Sequence, residues 1–122
     1  MKKILIADDK LEVVELLRAT LGGEDYQIIS ASDGKEALEK IGKEKPDLVL
    51  LDIVMPKMDG FEVLSEVKRG PQTKDIPIIM LTAKGQKLDK DKGEGLGATG
   101  YIIKPFSPSA LLKRIEEILA GE

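Results

Sequence analysis

Five polar residues stand where short apolar runs end. Asp8 and Asp9 follow Ile4–Ala7, Asp52 follows Leu48–Leu51, Thr82 follows Ile76–Leu81, and Lys104 follows Tyr101–Ile103. If the runs are parallel strands of one sheet, these residues converge on its carboxyl edge, where open α/β sheets bind ligands. Three carboxylates gathered there repel, so one should bind protons more readily than usual. A hard divalent cation relieves that repulsion, and Mg²⁺ is held by a few carboxylates, waters and phosphate oxygens. Lys104 adds a second positive charge for the same anion. A carboxylate nucleophile beside a divalent cation and a lysine is the equipment for forming an aspartyl phosphate. Taken singly, each residue has a plainer reading. Asp8 or Asp9 could cap the following helix, Asp52 and Thr82 could form turns or caps, and Lys104 could be a solvated lysine. Their joint arrival at one edge changes the odds.

The chain has no histidine and no cysteine. That excludes a Ser-His-Asp triad, a thiol nucleophile, a phosphohistidine and a His- or Cys-ligated zinc. Any metal must be held by oxygens, which favours Mg²⁺, Ca²⁺ or Mn²⁺.

The positioning elements follow from hydrophobic periodicity. Strands are expected at Ile4–Ala7, Tyr26–Ala31, Leu48–Leu51, Ile76–Leu81 and Tyr101–Ile103. Leu48–Leu51 is apolar on both faces, as an interior parallel strand must be, and Pro46 and Pro56 bound it. Leu11, Val14, Leu17 and Leu21, with Val13 and Leu16 beside them, mark a first amphipathic helix ended by Gly22-Gly23. Ala37, Leu38 and Ile41 mark a second after the Ser32-Asp33-Gly34 turn. Phe61, Leu64 and Val67 mark a third after Met58-Asp59-Gly60, ended by Gly70-Pro71. Ser107 and Pro108 should start a last helix lined by Leu111, Leu112, Ile115, Ile118 and Leu119. Residues 86–96 take the place of a fourth helix but carry Gly93 and Gly95, each costing about 1 kcal/mol against alanine. A short, frayed or poorly ordered helix is expected there. Asp33, Asp47 and Asp59 read as turn or cap residues, without chemistry.

Strand and helix alternate five times. This predicts a flavodoxin-like (βα)5 doubly wound sandwich, a parallel sheet with helices on both faces. At 122 residues the chain is one domain, spanning 1–122, with no linker or output domain expected. Its net charge of −3 gives no reason to expect direct nucleic-acid or membrane binding. The apolar start is cut short by Asp8 and Asp9, far too soon for a signal peptide, and the absence of cysteine points to a cytoplasmic location.

The Ile6-Ala7-Asp8-Asp9 strand end, Asp33-Gly34-Lys35-Glu36-Ala37-Leu38, Asp47–Gly60, Ile78–Ala83 and Tyr101–Phe106, in this order and spacing, resemble the receiver domain of two-component response regulators. The resemblance covers the whole chain and suggests a single-domain, chemotaxis-regulator-like form. It implies the strand order 2-1-3-4-5 and a set of roles. Asp52 would accept a phosphoryl group from a phosphohistidine on a sensor histidine kinase or phosphotransfer protein. Asp9 would bind Mg²⁺ (or Mn²⁺) directly and Asp8 largely through water, with Asp52 and the Val54 backbone carbonyl as further ligands. Thr82 would hydrogen-bond the phosphoryl oxygen, Lys104 would pair with Asp52 or its phosphate, and Tyr101 would be the switch aromatic. The Lys104-Pro105 peptide would be cis. The signal would pass to a downstream protein effector through the face built from the fourth helix, the fifth strand and the last helix. Such a chain is a signalling switch rather than a conventional enzyme, though its site promotes phosphotransfer and dephosphorylation.

Two lysines depart from a bare acidic site. Lys10 adjoins the acidic pair and Lys84 lies two residues beyond Thr82, where either could ease approach of an anionic donor or prolong the phosphate's life. A haloacid dehalogenase-type phosphatase also uses a strand-end aspartate, but needs an acid two positions later, where this chain has Val54. A dinucleotide site is disfavoured because Ala7-Asp8-Asp9-Lys10 lacks the glycine fingerprint. Nothing in the sequence supports a phosphorylation-free interaction module.

Overall fold

The computed structural model describes residues 1–22, 25–83 and 95–121. Its elements are β1 (Lys2–Ala7), α1 (Leu11–Leu21), β2 (Tyr26–Ala31), α2 (Gly34–Glu44), β3 (Leu48–Asp52), α3 (Gly60–Arg69), β4 (Ile78–Ala83), β5 (Gly100–Lys104) and α4 (Pro108–Ala120). The strands form one sheet in the order β2-β1-β3-β4-β5, all parallel. This is the doubly wound, flavodoxin-like sheet read from the sequence. The fourth helix expected at residues 86–96 falls almost wholly on residues outside the described ones, as does Lys84.

Side chains alternate across a strand, so each central strand feeds two cores. Leu5, Ala7, Val49, Leu51, Ile78 and Met80 point to one face, against Ala37 and Ile41 of α2 and Phe61, Leu64 and Val67 of α3. Ile4, Ile6, Leu48, Leu50, Ile79 and Leu81 point to the other, against Val14, Leu17 and Leu21 of α1 and Leu111, Ile115 and Leu119 of α4. All five residues of β3 are buried, which is why that run shows no alternation of polar and apolar residues.

Three expectations shift. Leu11 and Leu16 do not belong to the buried stripe of α1; they are 67% and 48% exposed. Strand β4 starts at Ile78, because Pro77 has no N–H for the ladder; its carbonyl still accepts from Val49 N–H at 3.0 Å. Thr82 and Lys104 lie inside β4 and β5 rather than beyond them.

The helix starts are locally encoded. Asp33 caps α2 by accepting from Glu36 N–H at 2.8 Å, and Ser107 caps α4 ahead of Pro108. Asp59 forms a reciprocal box at α3: it accepts from Glu62 N–H at 2.9 Å, and Glu62 accepts from Asp59 N–H at 3.2 Å. Asp47 instead joins strands, accepting from Lys3 N–H at 2.7 Å. Asp59→Ala is expected to cost about 1 kcal/mol in urea unfolding, the ordinary loss of a cap; an unchanged midpoint would contradict the capping role.

Candidate functional site

Asp52 is the last residue of β3 and Lys104 the last of β5. Both continue the alternation that faces α1 and α4, as Leu48-Leu50-Asp52 and Ile102-Lys104. Asp8 continues β1 in the same sense after Ile4 and Ile6, its N–H still donating to Ala31 at 3.1 Å. The sheet thus delivers these three side chains to one spot. Lys104 Nζ lies 3.0 Å from Asp8 Oδ2 and 3.3 Å from Asp52 Oδ1. Carboxylate oxygens of Asp8, Asp9 and Asp52 all come within 4.8 Å of one another.

Neither Asp8 nor Asp9 caps α1. Its N-cap is Lys10, which makes no side-chain cap bond. Asp8 Oδ1 accepts from Lys10 N–H at 2.9 Å, which fixes the strand-to-helix turn. The Lys10 side chain turns back over the acids. Its Nζ is 3.3 Å from Asp9 Oδ1 and 3.6 Å from Asp52 Oδ2. Position alone put Lys10 at the rim; the folded chain brings its ammonium onto Asp52.

Asp8 and Asp52 are 1% and 4% exposed. The Asp52 carboxyl is held above the usual carboxylate range, first by burial and then by the charge of Asp8; Lys104 and Lys10 pull the other way without winning. Repulsion among the acids, expected from sequence, is therefore the lesser cause, and desolvation leads. Asp52 Oδ2 is buried and accepts no hydrogen bond from the described residues. A buried carboxylate oxygen in that condition, inside a cluster of three carboxylates, fits a hard divalent cation.

Thr82 is buried and sits on the opposite face of β4, in the alternation of Ile78 and Met80. Met80 pairs with Tyr101 and Thr82 with Ile103, so Thr82 and Tyr101 are diagonal neighbours on that face. Tyr101 is half-buried and packs on the core beneath α2 and α3. The side chain of Val54 is 61% exposed, and the Lys104-Pro105 peptide is cis.

Two glycines seat the loop between Asp52 and α3, and their sequence signal was only that of turn residues. Gly60 N–H donates to Ile53 at 2.7 Å, and Gly34 N–H to Pro56 at 3.3 Å. A Cβ on Gly60 would collide with the Asp52 carbonyl oxygen, and one on Gly34 with that of Met58.

Residues 4–116 match the response regulator receiver domain, and the chain belongs to that family. Receiver domains are signalling switches of two-component systems. Among particular relatives, the chain is 48% identical over 118 residues to the alkaline phosphatase synthesis transcriptional regulatory protein PhoP of Bacillus subtilis, covering 97% of this chain and 48% of that protein. It is 45% identical to the probable transcriptional regulator ycf27 of Guillardia theta, with 97% and 45% covered. The chain thus spans about half the length of the curated relatives it matches. Among solved structures, the chemotaxis response regulator CheY4 of Vibrio cholerae superposes with a TM-score of 0.90 at 38% identity, covering 97% of this chain and 98% of that one. The chain thus resembles both a chemotaxis response regulator structure of similar length and longer transcriptional regulators.

Proposed function

We propose that this receiver domain is switched by phosphorylation of Asp52 in a Mg²⁺-dependent reaction. The observation that carries the reading is the setting of the Asp52 carboxylate. It is buried, flanked by an ammonium on each oxygen, and within reach of two further carboxylates. Asp8, Asp9 and Asp52, with the backbone carbonyl of Val54, would hold Mg²⁺ or Mn²⁺. The bound cation would neutralise charge on the phosphoryl oxygens.

The chain's own residues do the rest. The Asp52 carboxylate forms the new O–P bond as the donor's P–N bond to imidazole breaks, and the imidazole keeps the bonding pair and takes up a proton. Lys104 stays beside the reacting group and offsets its charge. Thr82, at the carboxyl end of β4, moves over the sheet edge from the other face to hydrogen-bond the phosphoryl oxygen, and Tyr101, diagonal to Thr82, follows it inward. The altered face runs over β5 and α4 and is read by a protein effector. The donor is a sensor histidine kinase or phosphotransfer protein in the cytoplasm. The chemistry is the same whether residues 1–122 act alone or as the receiver half of a longer transcriptional regulator of the PhoP kind.

The test is incubation with a small acyl phosphate and Mg²⁺, read by mass. Wild type should gain about 80 Da, one phosphoryl group. Gain should vanish in EDTA and in Asp52→Asn. An equal gain in Asp52→Asn, or none in wild type, refutes the assignment.

A further inference from the structure

Among the described residues, two ammonium groups reach the site, and they are not equivalent. Lys104 reaches Asp8 and Asp52 Oδ1 from β5 and is largely buried. Lys10 reaches Asp9 and Asp52 Oδ2 from the solvent side and is half exposed. Lys10 therefore lies against two of the three carboxylates that would hold a divalent cation. It also lies against the Asp52 oxygen that accepts no hydrogen bond from the described residues.

Resting on the metal-binding reading above, we infer that the Lys10 ammonium is a resident counter-ion of the cation side of this site, displaced to solvent when a divalent cation binds. Three carboxylates against two ammoniums leave one net negative charge. A divalent cation added with Lys10 in place would make the cluster net positive; with Lys10 swung out it becomes neutral. The backbone permits the exchange. Lys10 N–H is tied to Asp8, and Lys10 C=O accepts from Val13 and Val14 N–H at 3.1 and 3.2 Å, so the main chain stays anchored while the side chain turns. The contacts at 3.3 and 3.6 Å are loose for charge-assisted bonds, as suits an occupant that leaves.

Lys10 then sets the Mg²⁺ concentration at which the switch becomes competent. It also covers Asp52 while no cation is bound. This differs from its reading as a guide for the phosphodonor, which places its effect after the cation is seated.

The test is calorimetric titration of the unphosphorylated chain with MgCl2 at low ionic strength. Lys10→Met, which keeps the stem and removes the charge, should bind Mg²⁺ about three- to tenfold more tightly than wild type, the range expected for losing two partly exposed ion pairs. Lys10→Arg should stay within about twofold of wild type, and added NaCl should shrink the gap. Lys10→Met should also melt lower than wild type in EDTA and recover with Mg²⁺. Binding to Lys10→Met that equals wild type or is weaker overturns the inference, including where that variant only melts lower. Phosphoryl uptake on Asp52 with equal Mg²⁺ affinities would overturn this inference and leave the proposed function standing. Absence of Mg²⁺ binding to either protein overturns both.

Discussion

Asp52→Asn is expected to melt several degrees above wild type at neutral pH in EDTA, although it removes the residue the domain is built to present. Asp52 is an acid, buried and close to Asp8. Its two lysine contacts do not offset the burial and the repulsion, since its carboxyl sits above the usual range. Its folded pKa thus exceeds its unfolded value. The stability linked to its proton is fully present below the unfolded pKa and is lost as pH rises through the folded one. Wild type gives this stability up as pH rises above the ordinary carboxylate range, and a neutral amide of the same shape never had it to lose. The gap between the two proteins should therefore be widest at neutral pH and close as pH falls toward the ordinary carboxylate range. Mg²⁺ should narrow or invert it, because wild type keeps all three carboxylates and gains by mass action. Scanning calorimetry at two pH values, with and without Mg²⁺, checks this; an Asp52→Asn protein that melts lower at pH 7 in EDTA would show that the lysine pairs dominate.

Gly60→Ala should destabilise the fold by about 3 kcal/mol, the upper range for forcing a methyl into packed backbone. The added Cβ collides with the Asp52 carbonyl oxygen and meets the Ile53 Cα at 2.8 Å, and neither is the end of a flexible side chain. Helix α3 must move off the end of β3, and the peptide that carries Asp52 moves with it. Mg²⁺ affinity should fall alongside stability. Gly42→Ala is the control. Gly42 lies within α2, and a methyl added there would meet no described atom within 4 Å beyond its chain neighbours and the helix's own backbone. The same substitution should therefore stabilise by about 0.5–1 kcal/mol through helix propensity alone. Urea midpoints for the pair decide the matter. Equal effects would mean that the close approach of α3 to β3 is not what Gly60 provides.

Much of the fold was legible because it rests on local signals. Short apolar runs marked the strands, and the run between Pro46 and Pro56, which has no alternation, marked the buried centre of the sheet. Ser107-Pro108 marked the start of α4. The residues that read differently in the fold are those whose neighbours come from elsewhere in the chain. Leu11 has the spacing of a core residue, yet it begins α1 at the open edge of the sheet and stays 67% exposed. Asp47 has the look of a turn residue, yet it accepts a hydrogen bond from Lys3, which lies 44 positions away.

The order of residues along the chain was enough to mark five strands and the helices that begin near Leu11, Gly34, Gly60 and Pro108, and so which residues could meet at the carboxyl edge: Asp8, Asp9, Asp52, Thr82 and Lys104. How they meet is a property of the packed fold. Packing set Asp52 and Lys104 on one face of the sheet and Thr82 on the other, because a strand's alternation is counted from its neighbours' registers. It buried Asp52 deeply enough for desolvation, together with the charge of Asp8, to outweigh two lysines. It also folded the exposed arm of Lys10 over the acids, since attraction between charges depends on distance in space, which position along a chain does not give.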